Sequence, residues 1–529
     1  MVILTQEEKT DTFPSATLTR SDELTRLIAF RSKIKNSAAP AASTKALKIS
    51  NALKSCDFLT KSINKRPQGL TNGVNSELHR QTRVFVNVKQ DVEGNVEDNV
   101  KKNKSINTLK GGGQAASCAE DTGERPLAMP PDDLTDYRLA LQGLALPLAY
   151  VDLNKLDANI AALMRQTNGL PVRIASKSIR SVAMLRYLLA KTDKLQGVMC
   201  FHPQEAAFLA EQGLDDLLVA YPSMQKAAIV SLIPWLKKER RVVLMVDTLE
   251  HVMLLDAIGQ ASSVCFSVCM DIDVSMSLPG LHFGVHRSPI NTVDKALSLY
   301  QHIKHKHGVK LVGIMGYEAQ IAGLGDRVPR QYVKNLAIRG LKKLSIPRVA
   351  KRRQDVATAL TQAGAKLTFV NGGGTGSLNS TSQDHSVTEM TIGSGFFCPH
   401  LFDYYDHLSL APAAGFALEV VRQPKPSRVT CSGGGYLASG SADAFRAPIP
   451  YLPQGLSLDP NEGAGEVQTP LCFQSSASKR ESLTLGDAVF FRHAKAGEIC
   501  ERFATLYGIR NGAIEQYFET YRGAGKGFL

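Results

Sequence analysis

The sequence predicts an α/β protein: a (β/α)8 TIM barrel, followed by a mainly β C-terminal domain and preceded by a low-complexity extension. Three observations carry the prediction. Eight short apolar, β-branched runs alternate with amphipathic segments over about 250 residues, the arithmetic of an eight-stranded barrel. The runs are apolar nearly throughout, as parallel strands buried on both faces are. Beyond residue 410 the helical signal fades and Gly/Pro turns separate further strand-like runs.

The elements follow in order. Residues 1–128 are rich in Ser, Thr, Asn and Lys and run into VKKNKSINTLKGGGQAASC. That composition and the little sustained periodicity predict a disordered extension, with one helix around SDELTRLIAFRSKI. The barrel is placed at 129–410. LPLAYVDL (146–153) is a strand ahead of it, able to pair with the C-terminal domain, and LNKLDANIAALMRQ is a helix leading in. The barrel strands are VRIASK (172–177), LQGVMCF (195–201), DLLVAY (216–221), RVVLMVD (241–247), SVCFSVCMDID (263–273), KLVGIMGYE (310–318), KLTFVNGG (366–373) and EMTIGSGFF (389–397). SVAMLRYLLAKT, PQEAAFLAEQG and VATALTQAG are amphipathic helices between them. An open, doubly wound sheet is the alternative arrangement. The β domain, 411–529, is read from GFALEVVRQ, RVTCSGGGYLA and SLTLGDAVFFRH.

Composition narrows the function classes. The 529 residues are 43% hydrophobic and 21% charged, in the range of a soluble globular enzyme. The formal charge of +13 is scattered over the extension and helices such as IPWLKKERR, without the aromatic-interleaved basic stripe that binds nucleic acid. Attraction for anionic small molecules is the expectation instead. Nine cysteines without CxxC pairs fit thiols in a reducing compartment. MVILTQEEKTDTF has too short an apolar run for a signal peptide, and no segment approaches bilayer length. The expected setting is the cytoplasm, with no membrane partner.

Barrel enzymes work at the C-terminal ends of their strands. Lys177, in PVRIASKSIRS, lies at that end of the first strand, and Arg173 and Arg180 flank it in sequence. If either arginine points inward, its charge would depress the amine's pKa. After the seventh strand comes VNGGGTGSLNS (370–380), whose glycines and hydroxyls suit a phosphate cradle. It has neither the Lys-Ser/Thr ending of a nucleotide P-loop nor a GxGxxG pattern, so alone it is equally a glycine-rich turn. A lysine amine at one strand end and a phosphate cradle at another are what pyridoxal phosphate requires.

With those residues in place, positions 146–529 resemble the alanine racemase-like (fold type III) pyridoxal phosphate enzymes. The branch they resemble contains D-serine dehydratase, D-threonine aldolase and amino-acid deaminase/aldolase members. The resemblance is carried by LPLAYVDLNKLDANI, RIASKSIRS, GVMCFHPQEAAFLAEQG, DLLVAYPS, GYEAQIAG, NGGGTGS, GSGFFCPHLFDYY, GEVQTP and FRHAKAGEICERF. It implies a homodimer and a small D-amino acid substrate. Lys177 matches the Schiff-base lysine. Gly373, Gly374, Thr375, Gly376 and Ser377 match the phosphate loop; Asn371, Tyr317 and the Gly393–Gly395 turn match cofactor-pocket positions.

Two departures stand out. Zinc-dependent relatives carry His-x-Cys or His-x-Asp where this chain has His493-Ala494-Lys495, and a charged ammonium cannot ligate a metal. An Glu-His-Gly motif is also missing, GEVQ (465–468) being the nearest stretch. No metal is therefore expected, and His493 or Lys495 becomes the candidate for protonating a β-hydroxyl leaving group. In the fifth strand region, DIDVSMSLPGLHFGVHRSP, Arg287 is the nearest guanidinium for a substrate carboxylate, flanked by His282 and His286. The reading implied is a lyase, dehydratase or aldolase, acting on a D-β-hydroxy amino acid such as D-serine or D-threonine. The alternatives are an amino-acid racemase, for which Tyr436 or Tyr451 would have to supply a second base, and a non-catalytic cofactor carrier.

Overall fold

The computed structural model describes residues 133–440, 444–474 and 482–528, which fall in one compact unit. The extension, with the helix expected at SDELTRLIAFRSKI, lies outside the described residues. The chain enters through helix α1 (Asp133–Ala140) and strand β1 (Leu148–Asp152) into helix α2 (Leu153–Arg165). Asp152 makes the strand-to-helix change possible: its Oδ1 accepts from the Lys155 amide at 3.0 Å as an N-cap, and its Oδ2 accepts from Tyr137 Oη at 2.7 Å.

Each of the eight apolar runs then supplies one barrel strand. These are β2 (Val172–Ala175), β3 (Leu195–Cys200), β4 (Leu217–Val219), β5 (Val242–Val246) and β6 (Phe266–Asp271). After a hairpin, β7 (Met276–Leu278) and β8 (Leu281–Phe283), come β9 (Val309–Met315), β10 (Phe369–Gly372) and β11 (Glu389–Ile392). Neighbours pair in parallel all the way round, β11 closing onto β2 with Ile392 beside Ile174. The closed ring settles the architecture as a barrel rather than an open sheet. Alternate residues divide the strands: Leu218, Val243, Met245, Cys269, Met315 and Phe369 fill the interior, while Leu217, Leu244, Val268 and Ile314 pack against the helices.

Two elements exceed the sequence reading. The β7–β8 hairpin is inserted after the fifth barrel strand. VATALTQAG proves to be the end of a single 31-residue helix, Tyr332–Gln362, which runs through Pro347.

The C-terminal strands are β12 (Ala414–Lys425), β13 (Arg428–Ser432), β14 (Ile449–Leu452), β15 (Leu456–Leu458), β16 (Gln468–Phe473), β17 (Ala488–Arg492), β18 (Thr505–Arg510) and β19 (Ala513–Glu519). They form one sheet that takes β1 into its middle, antiparallel to β12 and parallel to β18. The strand ahead of the barrel thus pairs with this domain, as its sequence suggests. The sheet also closes over the lysine turn. Tyr521 donates its amide to Arg180 O at 2.8 Å, and Cys500 Sγ donates to Ile179 O at 3.2 Å. Gly497, at φ +85°, abuts Lys177 O so closely that no side chain would fit.

Candidate active site at the C-terminal mouth of the barrel

Lys177 emerges from a single turn, Ser176–Ser178, directly after β2, with its side chain exposed and its neighbours buried. Its Nζ donates to Tyr221 Oη at 3.0 Å. Tyr221 follows β4, and its ring lies 5.1 Å from the Arg287 guanidinium carbon. Arg287 reaches back from beyond the hairpin. Its Nε donates to Asp271 Oδ2 at 2.7 Å and its other end donates to Ala220 O at 3.0 Å, and it lies 5.8 Å from the ring of Tyr317, which follows β9. The mouth therefore assembles Lys177, Tyr221 and Tyr317 from three barrel strand ends and Arg287 from the segment beyond the hairpin. Tyr221 was missed in the sequence, where it closes an apolar run like any strand-end aromatic.

The phosphate-loop candidate begins at the end of β10. Gly373 takes φ +90°, and a short turn, Thr375–Ser377, follows. A Cβ on Gly374 would stand 3.1 Å from Tyr317 Cε2, and one on Gly376 would meet Ala322 O and, at 2.6 Å, the Tyr405 ring. The tight spacing here needs glycine. Glu318 holds the loop from its buried side. It accepts from the Gly373 amide at 3.2 Å, from Ser377 Oγ at 2.7 Å and from Thr381 Oγ1, and it pairs with Arg353. Arg353 in turn pairs with Asp384 at 3.0 Å and donates to Gly316 O. Neither Glu318 nor Arg353 carries a sequence signal: their partners are scattered from residue 316 to 384.

The lysine turn and this loop are joined by the third predicted piece, Gly393–Gly395. Ser178 Oγ and Ser394 Oγ are 3.1 Å apart, and the Gly395 amide donates to Thr375 Oγ1 at 2.9 Å. Of these two glycine turns, Gly374 and Ser394 are the residues that reach the surface, while Glu318 is fully covered. The arrangement fits pyridoxal phosphate. An exposed amine, donating to Tyr221, shares one mouth with two contiguous turns of backbone amides and hydroxyls, and Glu318, the carboxylate that touches the loop, is paired with Arg353 beneath it.

Other predicted residues fall elsewhere. Asn371 is buried and donates to Glu389 Oε1 and Thr391 Oγ1, both at 2.9 Å, in a network with Arg173 inside the barrel. Arg173 does point inward, but it is paired with Glu389 and Asp216; Arg180 points toward Glu501 at 2.5 Å and donates to Lys177 O. Both arginines are thus held in ion pairs of their own. His493 is buried behind β17, and burial, with His400 and Arg492 alongside, holds its ring down at about 3, so it is neutral. Lys495 is half-exposed, donating to Ser439 Oγ at 2.7 Å and pairing with Glu498 at 3.2 Å. Among the described residues no three His, Cys, Asp or Glu side chains converge as a metal site would. His282, on β8 of the hairpin, and His286 just beyond it stack on each other, 3.8 Å between centroids. Burial raises Asp271 to about 7 against the pull of Arg287, with Asp247 and Asp273 adding to the rise; burial likewise takes Tyr317 to about 12.

Comparison with known proteins bears on the fold. The family model for the alanine racemase N-terminal domain matches residues 151–396. A 3-hydroxy-D-aspartate aldolase from Paracoccus denitrificans (strain Pd 1222) is 24% identical over 253 residues; the match spans 47% of this chain and 60% of the relative. Two solved structures share the fold. A D-threonine aldolase from Filomicrobium marinum superposes with a TM-score of 0.61 at 17% identity, covering 72% of this chain and 96% of that one. A D-threo-3-hydroxyaspartate dehydratase from Delftia sp. HT23 gives 0.58 at 19% identity, covering 72% and 98%.

Proposed function

We propose that this chain, which carries an alanine racemase-type N-terminal domain, is a pyridoxal phosphate-dependent lyase acting on a D-configured β-hydroxy amino acid. The observation that carries the reading is the unbroken contact path from the lysine turn through Ser178 and Ser394 to Thr375 in the glycine loop. Two further observations support it: the aldolase and dehydratase relatives act on D-amino acids by name, and the β domain seals the lysine turn from behind.

Lys177 would hold the cofactor's aldehyde carbon, and Gly373–Ser377 with Gly393–Gly395 its phosphate. When bound, the cofactor supplies an electron sink that weakens the bonds at the substrate Cα. The rest is done by this chain's residues. Arg287, fixed by Asp271 and Ala220 O, presents a cation at the mouth for a substrate carboxylate. Tyr317 walls the glycine loop and sets the space above Gly374. Lys495, half-exposed and hydrogen-bonded to Ser439, is the group we assign to protonating the departing β-hydroxyl, the task of the metal position in zinc-dependent members of the resembled branch. His493 stays neutral and is assigned a supporting part. A racemase is less well supported: Tyr436 is packed between Phe416 and Phe503, and Tyr451 lies near Arg492 in the β domain. We assign the chain to the cytoplasm as a homodimer; free, largely buried thiols support the reducing compartment.

The test is direct. Full-length protein given pyridoxal phosphate should form a borohydride-trappable adduct at Lys177, absent in Lys177→Ala, and should convert D-serine, D-threonine or D-3-hydroxyaspartate to keto acid or aldehyde. Racemised D-alanine without keto acid would select the racemase. Unchanged turnover in Lys495→Met would remove Lys495 from the chemistry.

A further inference from the structure

We propose that Tyr221 is the proton carrier of this site, exchanging a proton directly with Lys177 Nζ. The inference rests on the assignment of Lys177 as the cofactor-binding lysine and adds a catalytic residue to it. Tyr221 Oη stands 3.0 Å from Lys177 Nζ, a hydrogen-bonding distance, and the same Nζ lies 5.5 Å from the ring centroid. On the other side is the Arg287 guanidinium, 5.1 Å from that ring. Arg287 is anchored to the carbonyl of Ala220, the residue preceding Tyr221, so one strand end carries the phenol and also fixes the cation beside it.

A phenol between two cations is biased toward its anion. Burial pushes Tyr221 upward, but Lys177 and then Arg287 outweigh it and hold the phenol below its ordinary value. Tyr317 shows the contrast: deeper, and facing Arg287 without a lysine, it rises to about 12. The titratable groups around Tyr221 are Lys177 from the β2 turn, Arg287 beyond the hairpin and Tyr317 after β9. His251, from the helix after β5, lines the same small cavity, and Asp271 lies behind Arg287.

The step balances simply. The Tyr221 phenolate accepts one proton from the Lys177 ammonium, giving a phenol and a neutral amine with a free lone pair; the reverse transfer recharges the lysine. No electrons change hands. A neutral amine is what attack on an aldehyde demands, and a positioned carrier delivers it without raising bulk pH.

The experiment uses the full chain, freed of cofactor. Pyridoxal phosphate is added and formation of the lysine adduct is followed by absorbance and borohydride trapping. Tyr221→Phe should form the adduct about 10²-fold more slowly near neutral pH, the deficit closing as pH is raised. Separately, ultraviolet phenolate titration without cofactor should show one tyrosine ionising below the ordinary range, moving upward in Lys177→Met. A Tyr221→Phe rate and pH profile equal to wild type overturns the proposal. So does a tyrosine titration indifferent to Lys177→Met, which decides the matter even if Tyr221→Phe does not fold. Should wild type form no trappable adduct while the titration still responds to Lys177→Met, the cofactor assignment fails and the Tyr221–Lys177 proton pair stands.

Discussion

Single residues beneath the mouth are tuned as sharply as those in it. Glu205, fully buried at the start of the helix Pro203–Glu211, accepts from the Phe201 amide at 2.7 Å and from Tyr521 Oη at 2.9 Å. Burial raises its carboxyl from 4.5 to about 7, against the hydrogen bonds that hold it down. Because the folded chain keeps this proton to higher pH than the unfolded chain, the group's favourable contribution is complete below about 4.5 and is lost as pH rises to about 7. At ~1.4 kcal/mol per pH unit the loss is about 3 kcal/mol. Glu205→Gln removes the titration. Unfolding free energies measured for both proteins should therefore diverge by roughly that amount between about pH 5 and pH 8, wild type falling and the variant holding more nearly level. Parallel curves would show that Glu205 is ionised throughout.

At the scale of elements, strands and glycine turns were legible because their signals are local. Buried apolar runs announced all eight barrel strands, and the glycine run after the seventh announced the loop, where the positive φ of Gly373 and the crowding at Gly376 require that residue. What holds that loop was not legible. Glu318 looks like any acid after a strand, and Arg353 lies in the basic stretch RVAKRRQDVA, 35 residues away from it; only folding brings them together. VATALTQAG showed only the last stretch of its helix, which continues back through Pro347 with buried residues on both sides of the proline. Two variants separate loop shape from loop support. Gly376→Ala should force the turn off Ala322 O and weaken pyridoxal phosphate binding at least about tenfold while costing about 1–3 kcal/mol of stability, read by cofactor titration and denaturant melts. Arg353→Met leaves Glu318 and Asp384 buried without their cation, so it should cost about 3–5 kcal/mol whether or not cofactor is present.

Over the whole described unit, chain order and spatial order are interleaved in a way that couples barrel to sheet. The strand β1 comes before the barrel yet is central in the C-terminal sheet, with Tyr150 beside Gly415 on one side and Tyr507 on the other. From the far end, Tyr521 returns to the first barrel strand's turn through Arg180 O and to the helix after the second barrel strand through Glu205, while Phe528 packs against Phe201 edge-on and Phe208 at a tilt. Neither part keeps its partners if the other opens, so thermal unfolding should follow a single transition in which near-ultraviolet and far-ultraviolet signals coincide. Tyr521→Ala tests the coupling at its narrowest point. Removing a fully buried ring should cost about 3–5 kcal/mol. The loss should lower that one transition as a whole and, because Tyr521 braces the residues just after Lys177, slow trapping of pyridoxal phosphate as well. Two separated transitions, with the barrel's unchanged, would mean that the sheet only leans on the barrel and that the lysine turn is held from within β2 alone.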